Sequence, residues 1–195
     1  MGIEETREKI VSVADRLFRR FGFQKTSMDE IARIARKAKG SLYYHFSGKE
    51  ELFREVVQNE VNGMKSKLLV IVNNSDYNSG GKLKTYMQTR MDVLQHATNY
   101  HETIQSDDHD HFEFMKDIRK DLDDWERVQI CSIIREGVET GEFELDLSVE
   151  VLSDIIIMIV KGLEGPFYLQ GRYTEYSPYF DGLAKILMKG LSKMY

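Results

Sequence analysis

Apolar residues recur at intervals of three and four along most of this chain, and no stretch alternates with a period of two. Ile10, Val13, Ala14, Leu17, Phe18 and Phe21 form one such face and predict a helix over residues 4–21, with Gly22 as its stop. Thr26 or Ser27 offers the next N-cap, and Asp29 and Glu30 suit the first turn beyond it. Ile31, Ala32, Ile34 and Ala35 then supply the buried side of a short second helix. A third spans Lys39 to Phe46, with Leu42, Tyr43 and Phe46 as inward positions. Ser47 and Glu50 read as a capping box for a fourth helix, carried by Leu52, Phe53, Val56 and Val57 towards Val72.

Asn73 to Gly81, NNSDYNSGG, is a break of turn-forming residues. Helices are predicted over 82–104 and 112–140, separated by the polar run SDDHDH at 106–111 and closed by Gly141. Ser148 opens an apolar helix to about Leu169, residues 171–178 turn, and a last helix over 179–194 puts Leu183, Ile186, Leu187 and Leu191 on one face. The expectation is an all-α chain of about nine helices.

Composition agrees with that pattern. Pro166 and Pro178 are the only prolines, and the 42% apolar, 30% charged mixture is that of a globular chain with a real core. A single cysteine, Cys131, excludes an intrachain disulfide and a cysteine-based zinc cluster and fits a reducing, cytoplasmic setting. The charged N-terminus predicts no signal peptide, and the apolar run from Ile155 to Val160 is too short to span a bilayer, so no membrane partner is expected.

The net charge of −5 argues against a nucleic-acid partner until its distribution is examined. Residues 1–60 hold 12 basic against 10 acidic side chains, leaving 15 against 22 for the remainder. Arg33, Arg36, Lys37 and Lys39 fall within seven positions. A local basic face is sufficient for phosphate contact, because fields act over about 10 Å at moderate salt.

Residues 26–49, TSMDEIARIARKAKGSLYYHFSGK, carry the functional signal. Two short helices joined by a tight turn make a helix-turn-helix, in which the first braces on phosphates and the second enters the major groove. That groove is about 12 Å wide, so the leading residues must be small or polar, as Gly40 and Ser41 are. Tyr43, Tyr44 and His45 can reach flanking phosphates, and Lys49 opens the next helix, where its amine and the free amides can hold another.

This stretch resembles the DNA-binding domain of the TetR family of bacterial regulators. The resemblance rests on Thr26, Glu30–Ala32, KGSLYYHF at Lys39–Phe46 and GKEELF at Gly48–Phe53, with a weaker echo in REGVETGEF at Arg135–Phe143. It implies a helix-turn-helix domain over residues 1–50 and a larger helical ligand-binding and dimerisation domain over 51–195. It implies that Thr26, Tyr43, His45 and Lys49 hold phosphates while Lys39, Gly40, Ser41 and Tyr44 lie at or near base edges. The expected partners are a palindromic duplex operator, a second copy held through the last two helices, and an unidentified small-molecule effector that releases the operator. The chain departs from the family in the turn, where glycine, an apolar residue and serine or threonine are common but Arg36, Lys37 and Ala38 stand here. Arg36 is then expected at positive φ or in a reshaped turn. Ala38 leaves the reading helix without a side-chain cap, at a typical cost of ~1 kcal/mol, and Arg36 and Lys37 can add phosphate contacts.

For the body, Tyr86, Met87, Met91, Tyr100, Phe112, Met115 and Trp125 are candidate pocket residues, since aromatics and methionines suit an adaptable apolar site. Ordinary core packing explains the same residues. The helix from Val149 is apolar around most of its circumference, and with the last helix it predicts a dimer face. His101 with Asp107, Asp108, His109, Asp110 and His111 invites a metal reading, but so dense a polar run reads as a solvated loop, and no metal or other cofactor is expected. Glu136, Glu139, Glu142 and Glu144 read as a solvated face and turn. Cys131 sits among Ile130, Ile133 and Ile134 like an inert packing thiol, and no catalytic motif appears, so an enzyme is not expected. A transcriptional repressor is the predicted function.

Overall fold

The computed structural model describes residues 2–105 and 113–191. Among these the chain is all-helical: α1 (Ile3–Lys25), α2 (Met28–Ala35), α3 (Lys39–His45), α4 (Lys49–Val72), α5 (Ser79–Leu94), α6 (Thr98–Gln105), α7 (Lys116–Glu139), α8 (Val149–Glu164), α9 (Tyr173–Tyr176) and α10 (Phe180–Leu191). All but the single turn α9 match the expected number of about nine. Two compact units result, Met1–Gly63 with Ala97–Asp117, and Met64–His96 with Ile118–Tyr195.

In the first unit, Ile10, Ala14 and Phe18 of α1 are buried with Ile31 and Ala35 of α2, Leu42 of α3 and Leu52, Phe53 and Val57 of α4. Gly22 interrupts α1 with φ 81° and ψ 165°, so the expected stop is a kink followed by one further turn. Ser27 caps α2 by accepting the Glu30 N–H at 3.2 Å. Ile34, expected inside, is 39% exposed, because α2 is only two turns long and its buried stripe is filled by Met28, Ile31, Ala32 and Ala35. Tyr43 also faces outwards. α4 begins at Lys49, one residue later than a Ser47 cap would start it, and Glu51, not Glu50, accepts the Ser47 N–H at 2.6 Å.

The units do not follow a single cut after residue 50, because α6 packs with α1. The cause is a set of carboxylates at the start of α6, whose first amides lack helical acceptors. Glu60 accepts from the Tyr100 N–H at 2.8 Å and the Asn99 side-chain amide at 2.9 Å, and Arg19 pairs with it at 2.7 Å. Asn99 also donates to Asp15 at 2.8 Å. The predicted single helix over 82–104 therefore breaks at residues 95–97 into α5 and α6.

In the second unit Leu83, Tyr86 and Leu94 of α5 are buried, as are Leu122, Ile130 and Ile134 of α7 and Ile156, Ile157 and Val160 of α8. Ser148 caps α8 as expected. Its end widens into a π turn over Gly165–Leu169, where Pro166 withholds an amide from the ladder. Residues 171–178, expected as a turn, contain α9 and the start of a 3-10 turn over Ser177–Tyr179. The acidic face expected to be solvated is partly structural. Glu142 accepts the Ser79 and Gly80 N–H groups, both at 2.9 Å, and so caps α5, while Glu136 pairs with buried Lys82 at 2.7 Å.

Candidate nucleic-acid interface

The turn between α2 and α3 solves its missing glycine locally. Arg36 takes the left-handed conformation (φ 54°, ψ 47°), the one positive φ among the described non-glycine residues. The Arg36 N–H bonds to the Arg33 carbonyl at 3.2 Å and the Lys37 N–H to the Ala32 carbonyl at 3.0 Å. These two bonds are the pair that closes a helix when its C′ residue is left-handed, with arginine standing where glycine is usual. A left-handed L-residue costs roughly 1–2 kcal/mol. Ala38 has no side-chain cap to give, as expected.

The turn aims α3 outwards. Leu42 and the following Phe46 are buried and fix its inner side. Lys39, Gly40, Tyr43 and Tyr44 are exposed, with Ser41 and His45 half-exposed beside them. The Tyr44 and His45 rings meet edge to face at 5.2 Å. A side chain at Gly40 would meet nothing within 4 Å, so the fold itself does not demand glycine there. Its absent side chain matters only to something approaching from outside. Asp29 holds Lys39 at 2.6 Å, and that hydrogen bond raises the ammonium's pKa above its usual range. Asp29 is the acceptor that sequence reasoning missed; it was read only as a favourable first-turn charge.

The structure places the remaining expected contacts differently. Arg36 is exposed, whereas the Lys37 amine donates to Thr6 at 3.1 Å. Thr26, expected on a phosphate, is 2% exposed and its hydroxyl donates to the Gly22 carbonyl at 2.8 Å. The kink at Gly22 frees that carbonyl from the helical ladder, and the Thr26 hydroxyl satisfies it and is turned into the fold. Lys49 is half-buried; its amine donates to the Phe23 carbonyl at 2.8 Å and lies 4.3 Å from the Phe23 ring centroid. It borders an open groove of about 840 Å³ beside Gln24, Ser47 and Gly48.

The candidate effector residues are divided between the two units. Tyr100 and Met115 are buried in the first unit, while Phe112 and Asp107–His111 lie outside the described residues. In the second unit Tyr86 is fully buried and bonds Glu126, and Trp125 lies under the Lys65 ammonium at 5.4 Å. Met87 and Met91 do line a common recess, with Val160, Leu163, Phe180 and Ala184, but it holds only about 30 Å³. Ligand pockets measure about 300–1,000 Å³, so this recess is closed to a drug-sized molecule as it stands. Among the described residues no helix is long and apolar enough to cross a membrane.

Residues 10–56 match the family model described as bacterial regulatory proteins, tetR family. The chain is 26% identical to the transcriptional regulator QacR of Staphylococcus aureus over 96% of its own length and 98% of the relative's. It is 45% identical to the regulator AcrR of Shigella flexneri over 27% of this chain and 25% of that one. A transcriptional regulator of Cytophaga hutchinsonii shares the fold at a TM-score of 0.79, with 23% identity and coverage of 95% of this chain and 98% of that one. The regulator FadR of Bacillus subtilis, solved in complex with stearoyl-CoA, does so at 0.73, with 17% identity and coverage of 94% and 98%. Residues 10–56 thus form a helix-turn-helix domain of the tetR family of bacterial regulatory proteins, and the chain over most of its length is similar to transcriptional regulators.

Proposed function

We propose that the protein is a dimeric repressor that releases a palindromic operator when a small apolar molecule enters its second unit. The observation that carries the reading is the outward face of α3, where Gly40 and Tyr44 are exposed, Ser41 is half-exposed and Lys39 is exposed in a pair with Asp29, on a helix anchored by Leu42. Lys39, Ser41 and Tyr44 are assigned to base edges, and Tyr43, His45 and Lys49 to phosphates, with Arg36 and Lys37 adding to the latter.

Dimerisation is supported by α8 and α10. Ile156, Ile157 and Val160 bury one side of α8, yet Val151, Ile155, Met158 and Ile159 are exposed on the other, and Leu183 and Ile186 are exposed on α10. An apolar face of this kind is the expected signature of a self-complementary contact. Two reading helices then meet half-sites about 34 Å apart. The effector site is assigned to the Met87–Met91 recess opened against Phe180; a fold relative in complex with stearoyl-CoA supports an apolar ligand. Ligand and operator favour different states, so each weakens the other by one coupling free energy.

Selection of random duplex DNA by the purified protein, with the bound fraction sequenced, tests the reading. A two-fold symmetric motif is the expected result; failure to enrich any motif at low salt refutes it. On the selected site Ser41→Ala changes base preference, with a penalty of about 1–3 kcal/mol confined to one or two positions. Lys49→Ala weakens all duplexes alike and flattens the salt slope by about one unit. Identical behaviour of the two variants would refute the division between base and phosphate contacts.

A further inference from the structure

We propose that Glu102 on α6 is a positioning residue for Lys49, acting through Phe23, so that a carboxylate outside the helix-turn-helix sets one of its phosphate contacts. This rests on the phosphate role proposed for Lys49.

The chain of contacts lies within the first unit. At φ 81° and ψ 165° Gly22 breaks the α1 ladder, and the Phe23 N–H loses its place in it. A buried N–H without an acceptor is costly. Glu102 supplies that acceptor at 2.8 Å. The other backbone end of Phe23, its carbonyl, receives the Lys49 amine at 2.8 Å, with the Gln24 carbonyl at 3.5 Å. The Phe23 ring lies under the same ammonium and packs against Phe53 at 4.9 Å and Phe18 at 6.0 Å. Lys49 thus takes its position chiefly from Phe23, with the longer Gln24 contact beside it, and Glu102 holds the opposite backbone end of Phe23.

The surroundings are shaped for this contact. A methyl group at residue 22 would lie 3.1 Å from Glu102 Oε1, so the glycine admits the carboxylate as well as the positive φ. Glu60 fixes the start of α6 by accepting its first amides, which sets where Glu102 falls three and two residues later. An ammonium has three donors; carbonyls of the Phe23–Gln24 segment hold Lys49 from below and leave a donor for an incoming phosphate. Without Glu102 the Phe23 N–H must turn towards another acceptor, and the adjoining carbonyl turns with it.

A contact that merely satisfies an amide would affect stability alone. A positioning contact also changes the salt dependence of DNA binding, which counts phosphate contacts at about 0.9 per contact. The measurement is fluorescence anisotropy of full-length protein on a random-sequence duplex over a series of salt concentrations, with thermal unfolding as a check on the fold. Glu102→Ala is expected to flatten the slope by about one unit, as Lys49→Ala does, and the double variant to be no flatter than either. Glu102→Gln keeps an oxygen acceptor for the Phe23 N–H and is expected to restore the native slope. If Glu102→Ala fails to fold, Glu102→Met, closer in volume and without an acceptor, takes its place. A native slope in the Ala or Met variant beside a flattened Lys49→Ala slope overturns the link alone. A native slope in Lys49→Ala overturns the phosphate assignment and the link together. Additive losses in the double variant also overturn the link.

Discussion

Replacing Arg90 by methionine destabilises the protein by about 3–5 kcal/mol, the range found when one partner of a buried ion pair is removed. Arg90 is 1% exposed, and its guanidinium bonds Glu126 at 2.7 Å and Glu164 at 2.6 Å. Those carboxylates are 0% and 4% exposed. With the arginine gone, two negative charges remain in a site they cannot leave, and Tyr86, bonded to Glu126 at 3.2 Å, cannot neutralise either. Denaturant midpoints by circular dichroism read the loss. Glu126→Gln and Glu164→Gln added to Arg90→Met remove the stranded charge and recover most of it. A single variant as stable as the parent would refute the argument.

The same site gives a pH dependence with a defined sign. Burial raises the Glu164 pKa above its usual value of 4.5, and the attraction of Arg90 only partly opposes it. The folded state therefore holds this proton more tightly than the unfolded chain does. Its contribution to stability is complete below the unfolded pKa and is lost as pH rises through the folded one. Removing Arg90 removes a lowering influence, so the Arg90→Met penalty shrinks as pH falls towards the acid range. A penalty that grows on acidification would contradict this.

The triad also shows why the sequence was legible in one place and opaque in another. The helix-turn-helix depends on local signals: caps, a short apolar stripe and small residues at the front of α3, all within residues 26–49. Those signals lie close in the chain, and the exposed positions of Lys39, Gly40 and Tyr44 follow from them. Arg90, Glu126 and Glu164 are separated by 36 and 38 positions, each within a helix where a charged residue is unremarkable. Nothing local marks them as buried. The burial of Thr26 is opaque for a similar reason: it depends on the backbone conformation of Gly22, four residues earlier. The acidic residues after α7 misled because Glu142 finds the start of α5, more than sixty positions away.

Gly137→Ala destabilises the second unit by about 1–3 kcal/mol, the usual scale of overpacking, despite the ~1 kcal/mol that alanine gains over glycine in a helix. The clash decides the sign. A methyl at Gly137 would lie 2.2 Å from Cδ2 and 2.5 Å from Cε2 of Phe143, inside any tolerable contact. The ring cannot yield easily, for Phe143 is 3% exposed and its N–H is bonded to the Gly137 carbonyl at 2.9 Å. Its neighbours are pinned as well: Glu142 caps α5, and the Glu144 N–H reaches the Leu191 carbonyl at 3.0 Å. Gly141, at φ 72°, turns the chain so that ring and helix meet, which gives the REGVETGEF segment a physical meaning. A double-mutant cycle separates clash from propensity. Phe143→Ala alone costs about 3–5 kcal/mol, but in that background Gly137→Ala becomes neutral or stabilising, because the alanine then meets empty space and keeps its helical advantage. If Gly137→Ala raises the unfolding midpoint of the parent protein, the ring does not set the size limit at residue 137 and α7 closes against α5 by other contacts.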